Sequence, residues 1–250
     1  MRECGEPEAL LKKRILREWD PFTDQLYDIP GKVMLPASYS RFVVDLNRER
    51  NRRDPNGVIK STDFHLRPLY GPDYRIDAEE RERRLREYYD PYHRGIENIL
   101  EGGDIRFLLD GHSMTAQGPA MGPDEGRSRP ALCLCNFGDE EGNILAEEPL
   151  SLNPILARKA RDHAAKLIRI AFPDWDQNNL ALLNQPFDGG HVLRRYTHPA
   201  FPYHVPGLMF EINRALYLDE ESVEPLPGAV EVRRGIVSEI ASLVVAALDR

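Results

Sequence analysis

The chain predicts an α/β domain with a mostly parallel central sheet flanked by helices. Short runs rich in Val, Ile, Leu and Phe recur along it, continuous rather than alternating, with amphipathic helical patterns between them. Continuous apolar runs bounded by turn residues are how strands covered on both faces read. Their interleaving with helices favours a sheet sandwiched between helical layers. A length of 250 residues suits one core of that kind, so a single domain over 1–250 is expected.

In chain order, strands are expected at Val33–Leu35 and Phe42–Leu46. Asp77 and Glu80 then form a capping-box start for a helix reaching about Leu100, with Leu85, Tyr89, Ile96 and Leu100 on its apolar stripe. Pro91 should kink or break it, because proline removes a ladder N–H and crowds the preceding turn. Strands follow at Ile105–Leu109 and Ala131–Phe137. Asn153 is placed to cap a helix over Pro154–Phe172, with proline suited to its first turn. The pair Gly189 and Gly190 leads into His191 and a further strand, Leu208–Ile212 reads as another, and a last helix spans about Arg234–Leu248. Two polar, Gly- and Pro-containing stretches, 51–72 and 115–129, read as loops. In open α/β sheets ligands sit beyond the carboxyl ends of strands, where such loops gather.

Composition excludes several classes. The 41 acidic against 33 basic residues, a net charge of −8, oppose a nucleic-acid binder, which would draw its affinity from clustered Lys and Arg. No apolar stretch approaches the ~18 residues of a membrane span, and no apolar segment follows a basic start, so neither a membrane nor a secreted protein is expected. Cys4, Cys133 and Cys135 are too few for a disulfide framework, which points to a reducing cytoplasm. Cys133 and Cys135 share one face of a strand and read as buried thiols.

Four segments are candidates for chemistry. Ile105–Met114 is a buried strand ending at Asp110-Gly111-His112-Ser113, which sets an Asp and a His on the same side at the sheet edge. Such a His suits a metal with the carboxylate orienting its other ring nitrogen, or a plain strand-end hydrogen bond. Ser40–Arg48 closes an apolar run with charge; Arg48 beside Asn47 suits a carboxylate clamp, or an internal pair with Asp45. Glu211 interrupts an apolar strand, and desolvation there would raise its pKa toward general-base work, unless it pairs with Arg214 or Arg195. Gly189–Arg195 allows close backbone approach to a ligand, with His191 and Arg194 facing an anion, or else makes a surface hairpin.

Together these segments resemble the N-formylglutamate amidohydrolase (deformylase) family. Ser40-Arg41-Phe42-Val43-Val44-Asp45-Leu46-Asn47-Arg48 is similar to its S-R-x-x-x-D-L-N-R motif, and Tyr89-Asp90-Pro91-Tyr92-His93 to its Y-x-P-Y-H. Asp110-Gly111-His112-Ser113 matches D-x-H-S, and Gly189-Gly190-His191 with Phe210-Glu211-Ile212 match its late segments, over about Trp19–Tyr217. The resemblance implies the architecture of zinc-dependent, carboxypeptidase-like exopeptidases. It implies a zinc ion held by His112 and Asp20, with Asp110 and Asp45 behind the ligands. It implies Glu211 as general base, Arg194 as an aid to the oxyanion, and Arg41, Asn47, Arg48 and His191 as substrate contacts. The substrate would be a small anionic N-acyl amino acid such as N-formylglutamate, cleaved to formate and the amino acid. The family's opening P-H-[SA]-G segment, whose His is expected on the metal, has no counterpart before Trp19; Cys4 is a conceivable substitute. Two other readings stay open: a non-catalytic relative that binds a carboxylate ligand, and an amidase or peptidase with the same machinery and another acyl group.

Overall fold

The computed structural model describes residues 14–145 and 148–249. Strand β4 (Gly207–Asn213) runs through its centre, buried at every position but Glu211. On one side β1 (Leu108–Met114) pairs with it in parallel; on the other β2 (Leu132–Cys135) pairs antiparallel, with β3 (Ala181–Leu183) parallel to β2 at the edge. The order is β1-β4-β2-β3, so two of the three pairings are parallel, as the continuous apolar runs predict.

Because side chains alternate along a strand, this sheet has two unlike faces. Leu132, Leu134, Leu208, Phe210 and Ile212 point into the main core, against α4 (Pro154–Ala171) and α6 (Ala229–Leu248). Ala157, Ala160 and Ala164 line the inner side of α4, where small side chains allow a close approach to the sheet. Met209, Cys133 and Cys135 face the other way, into a small cluster with Met114, Phe137 and Leu193 of α5 (His191–Thr197). Helix α3 (Asp90–Glu101) packs Ile96 and Leu100 against Val192 and Tyr196 of α5. Both thiols are free and buried, 3.5 Å apart.

The expected caps form. Asp77 accepts from the Glu80 amide at 2.8 Å to start α2 (Ala78–Arg84), and Asn153 accepts from the Leu156 amide at 2.9 Å at the head of α4. Pro91 does not break the helical run. A π-turn over Leu85–Tyr89, in which the Asp90 amide reaches back to the Leu85 carbonyl, widens the helix just before it, and Pro91 sits in the first turn of α3, where its missing N–H costs nothing.

Four expectations are corrected. Val33–Leu35 is an exposed extended segment outside any sheet, and Phe42–Leu46 is a turn whose Val43 and Val44 amides reach the Ser40 carbonyl. The reason in the second case is charge: Arg41 and Asp45 are held by partners that a central strand could not have offered. The glycine pair opens α5 rather than a strand, with Gly190 as its N-cap. The strand expected at Ile105–Leu109 begins later, at Leu108, and runs through His112. No helix among the described residues is long and apolar enough to cross a membrane.

Candidate active site

The site begins with the parallel register of β1 and β4, which sets His112 directly beside Glu211 on one face of the sheet. Gly111, between Asp110 and His112, faces the other way. A Cβ there would lie 2.6 Å from the Tyr27 ring, so glycine is what lets that ring pack under the strand. The hydroxyl of Tyr27, at the end of the short helix α1 (Thr23–Leu26), lies 2.8 Å from the His112 carbonyl and 3.2 Å from that of Phe210, tying β1 to β4 at this level.

The His112 ring stands between two carboxylates. Nε2 is 3.0 Å from Asp110 Oδ1, and Nδ1 is 3.4 Å from Asp20 Oδ2. Burial opposes the charged ring, but Asp110 and Asp20 together raise its pKa well above the ordinary value. Burial likewise opposes a charged Asp20; the His112 ring, Arg41 and Arg214 override it and hold the carboxyl well below the usual range. The Ser113 amide and hydroxyl donate to Asp20 at 3.1 and 3.0 Å, while Arg214 donates to the Ser113 hydroxyl at 3.1 Å and to the Arg17 and Trp19 carbonyls. Asp20 thus comes from a loop far from β1 in sequence and is fixed by Ser113 at the end of β1, with Arg214 just beyond β4 behind it.

The Glu211 side chain differs from its neighbours in making no hydrogen bond to any described residue. Burial pushes its pKa up to about 7, with Asp20 adding to the shift and His112, Arg41 and Arg129 opposing it. Its carboxyl opens on a cavity of about 660 Å³, whose walls include Arg41, Arg48, Arg129 and Arg214. Both loops expected to shape a pocket do so, through Asn56, Phe64 and Arg67 from one and Thr115, Met121 and Arg129 from the other. Arg48 donates to the carbonyls of Asn56 and Asn47 at 3.0 and 2.9 Å, and has no carboxylate partner among the described residues. A partly buried guanidinium satisfied only by carbonyls favours an incoming anion.

Asn47 lines the cavity, as expected, and its side chain is also anchored by the protein. Its Oδ1 accepts from the Val192 amide at 2.7 Å, and its Nδ2 lies 3.0 Å from His112 Nε2 and 3.3 Å from Asp110 Oδ2. A Cβ on Gly190 would come within 2.4 Å of that Nδ2, so the second glycine of the pair makes room for Asn47. Asp45 lies one layer back, 3.0 Å from Lys60 and 3.3 Å from Arg41. His191 meets Tyr89 at 3.0 Å, and Arg194 pairs with Glu148 and stacks over Phe137; neither lines the cavity. Residues the sequence reading did not single out, Glu18, Arg67 and Arg129, do line it. Arg129 had a readable signal, being the last residue of a breaker-rich loop expected to border the site.

The donors present match the expected metal in part. His112 and Asp20 are adjacent, Asp20 is ionised, and Asp110 sits on the far ring nitrogen of His112, where a carboxylate fixes the orientation of a metal-bound imidazole. They fit as two ligands, where a catalytic zinc takes three from protein. Among the described residues no group of three His, Cys, Asp or Glu is gathered to hold a metal, and Cys4 lies outside the described residues.

Fold and cavity define an α/β protein whose sheet edge presents a carboxylate, a carboxylate-bound histidine and arginines to a small anionic ligand. The sequence profile of the N-formylglutamate amidohydrolase family matches residues 3–218, and the chain belongs to that family. It is 32% identical over 221 residues to an N-formylglutamate deformylase of Pseudomonas aeruginosa, covering 84% of this chain and 74% of that protein. A deformylase of the same description from Pseudomonas putida is 28% identical over 83% of this chain and 73% of its own length. The crystal structure of an N-formylglutamate amidohydrolase from Ralstonia eutropha JMP134 shares the fold with a TM-score of 0.67 at 21% identity, over 95% of this chain and 85% of that one.

Proposed function

We propose that the protein hydrolyses the amide of N-formylglutamate or a close N-formyl amino acid, giving formate and the free amino acid. The two curated relatives carry that activity in their names. The observation that carries the reading is Glu211, whose carboxyl is lifted to about 7 and has no hydrogen-bond partner among the described residues, next to His112 and open to an arginine-walled cavity. Such a group takes and returns protons near neutral pH.

In this reading Arg48, with Arg41 behind it, binds a substrate carboxylate. Asn47 and Asp110 hold the His112 ring. Glu211 takes a proton from the attacking water as its oxygen bonds to the formyl carbon, then returns it to the amide nitrogen as the C–N bond breaks. Zinc, with Asp20 and His112 as two of its ligands, would supply a bound water of pKa about 7, and the site would then resemble that of carboxypeptidase-like exopeptidases. Arg194, at the surface with Glu148, has no part in the step.

Formate release from N-formylglutamate by the purified protein tests the proposal. Glu211→Gln is expected to lower turnover by about 10²- to 10⁴-fold with the fold retained; unchanged turnover removes Glu211 from the mechanism. A second reading, a carboxylate-binding protein without hydrolysis, is favoured by the two-ligand donor set among the described residues. Absence of formate release together with thermal stabilisation by glutamate would establish it.

A further inference from the structure

The turn that carries Asn47 and Arg48 is held from outside the site by two side chains of one helical run. The Tyr89 hydroxyl donates to the Arg48 carbonyl at 2.8 Å, and His93 Nε2 donates to the Leu46 carbonyl at 3.0 Å. These two carbonyls bracket the Asn47–Arg48 pair, so the peptide before Asn47 and the peptide after Arg48 are pinned. Tyr89 and His93 are one helical turn apart with their rings 4.1 Å from each other, at the junction where the π-turn passes into α3.

Each is itself held by α5. His191 Nε2 lies 3.0 Å from the Tyr89 hydroxyl, which is free to accept because its own hydrogen goes to Arg48. The Tyr196 hydroxyl lies 2.8 Å from His93 Nδ1, the nitrogen left without a proton once Nε2 donates to Leu46. His93 is buried, and burial together with neighbouring His191 lowers its pKa to about 4, which keeps the ring neutral with that tautomer. The Val192 amide, from the same short helix, holds the Asn47 side chain. None of Tyr89, His93 or Tyr196 lines the cavity.

We propose that Tyr89 and His93 are positioning residues that divide the turn between them: Tyr89 aims Arg48 at the substrate carboxylate, and His93 sets Asn47 against Asp110 and His112. The proposal rests on the reading of Arg48 as the carboxylate clamp. A division of labour has a consequence that a merely structural role lacks. Loss of the Tyr89 hydroxyl acts on ligand binding, loss of the His93 donor acts on turnover, and each effect runs through a different neighbour.

The test uses the full-length protein, with N-formylglutamate for kinetics and glutarate, a dicarboxylate without a scissile amide, for binding by calorimetry. Tyr89→Phe is expected to raise KM and the glutarate Kd about tenfold with kcat nearly unchanged, the scale of one lost hydrogen bond to a well-placed group. In an Arg48→Ala background the same change is expected to have no further effect on glutarate affinity. Equal affinity of Tyr89→Phe and wild type for glutarate, or a loss that persists undiminished in the Arg48→Ala background, overturns the proposal. If Arg48→Ala by itself leaves glutarate affinity and KM unchanged, the clamp reading falls and takes this proposal with it. Should Tyr89→Phe not fold, His93→Gln is measured instead: a fall in kcat that vanishes in an Asn47→Ala background supports the proposal, and one that is absent or persists overturns it.

Discussion

The two sides of the sheet are built by different physics. Toward α4 and α6 the chain buries Leu134, Phe210, Ala160, Ile240 and Val244 with almost no exposure, and regular helices do the covering. Toward the cavity, residues 28–76 contain no regular helix or strand, yet this wall buries Asp45, Asn47, Lys60 and Asp63. Its groups are joined instead: Asp63 accepts from Arg14 and Arg67 at 2.7 and 2.6 Å, and Asp45 from Lys60, Arg41 and the Asn47 amide. The apolar side is held by contacts that depend on volume and hardly on direction. The loop side depends on partners at fixed positions, and removing one leaves others buried and unpaired. That difference suits the work of each side, since a pocket for an anion needs charges held in place rather than a close-packed surface.

The sharpest way to break the comparison is to make volume-conserving changes on both sides. Asp45→Leu leaves Lys60 and Arg41 without their shared carboxylate, and a loss of about 3–5 kcal/mol is expected by denaturant unfolding. Adding Lys60→Met to it should recover part of that loss, because one orphaned charge goes; no recovery would mean that the charge network is not what holds the loop wall.

A pH scan sharpens the comparison on the loop side. His93 holds the Leu46 carbonyl in its neutral form, with a pKa lowered from 6.5 to about 4 by burial. Between those values the unfolded chain binds a proton that the folded chain refuses. Stability is therefore full above pH 6.5 and is lost as pH falls toward 4, by up to about 3 kcal/mol. His93→Gln should flatten that part of the stability curve relative to wild type, and an unchanged slope would discard the assignment.

The smallest effect is expected on the apolar side. Leu134→Met, fully buried in the middle of β2, should cost less than about 1.5 kcal/mol, because a flexible side chain of similar volume refills the space. A loss as large as that of Asp45→Leu would erase the distinction between the two sides.

Much of the fold was legible from the chain. The cores of β2 and β4 stood out as continuous apolar runs, β1 only through its first two residues, and the caps at Asp77 and Asn153 fell where side-chain acceptors meet unpaired amides. Strand β3, only three residues long, was too short for a pattern to show. Phe42–Leu46 misled for a physical reason. Its apolar residues do go inside, with Phe42 and Val44 buried, but a turn stabilised by Arg41, Asp45 and Lys60 puts them there, and periodicity cannot see partners distant in sequence. In the site, Asp110, His112 and Glu211 were readable because polar residues interrupting or ending a buried strand are costly without a task. Arg194 and His191 were not placed correctly, since the glycine pair was read as leading into a strand and α5 turns Arg194 toward Glu148 at the surface.

The sequence by itself determined the α/β class, the two loops that border the cavity and the polar residues that end the strands, because periodicity, capping and burial cost are local properties. Only the tertiary structure decided that His112 stands between Asp110 and Asp20, that Asn47 is turned inward, and that Tyr89 and His93 grip the turn around it. Those relations join residues up to 145 positions apart. They are set by the β1 and β4 register and by where the loops close, which no local pattern encodes.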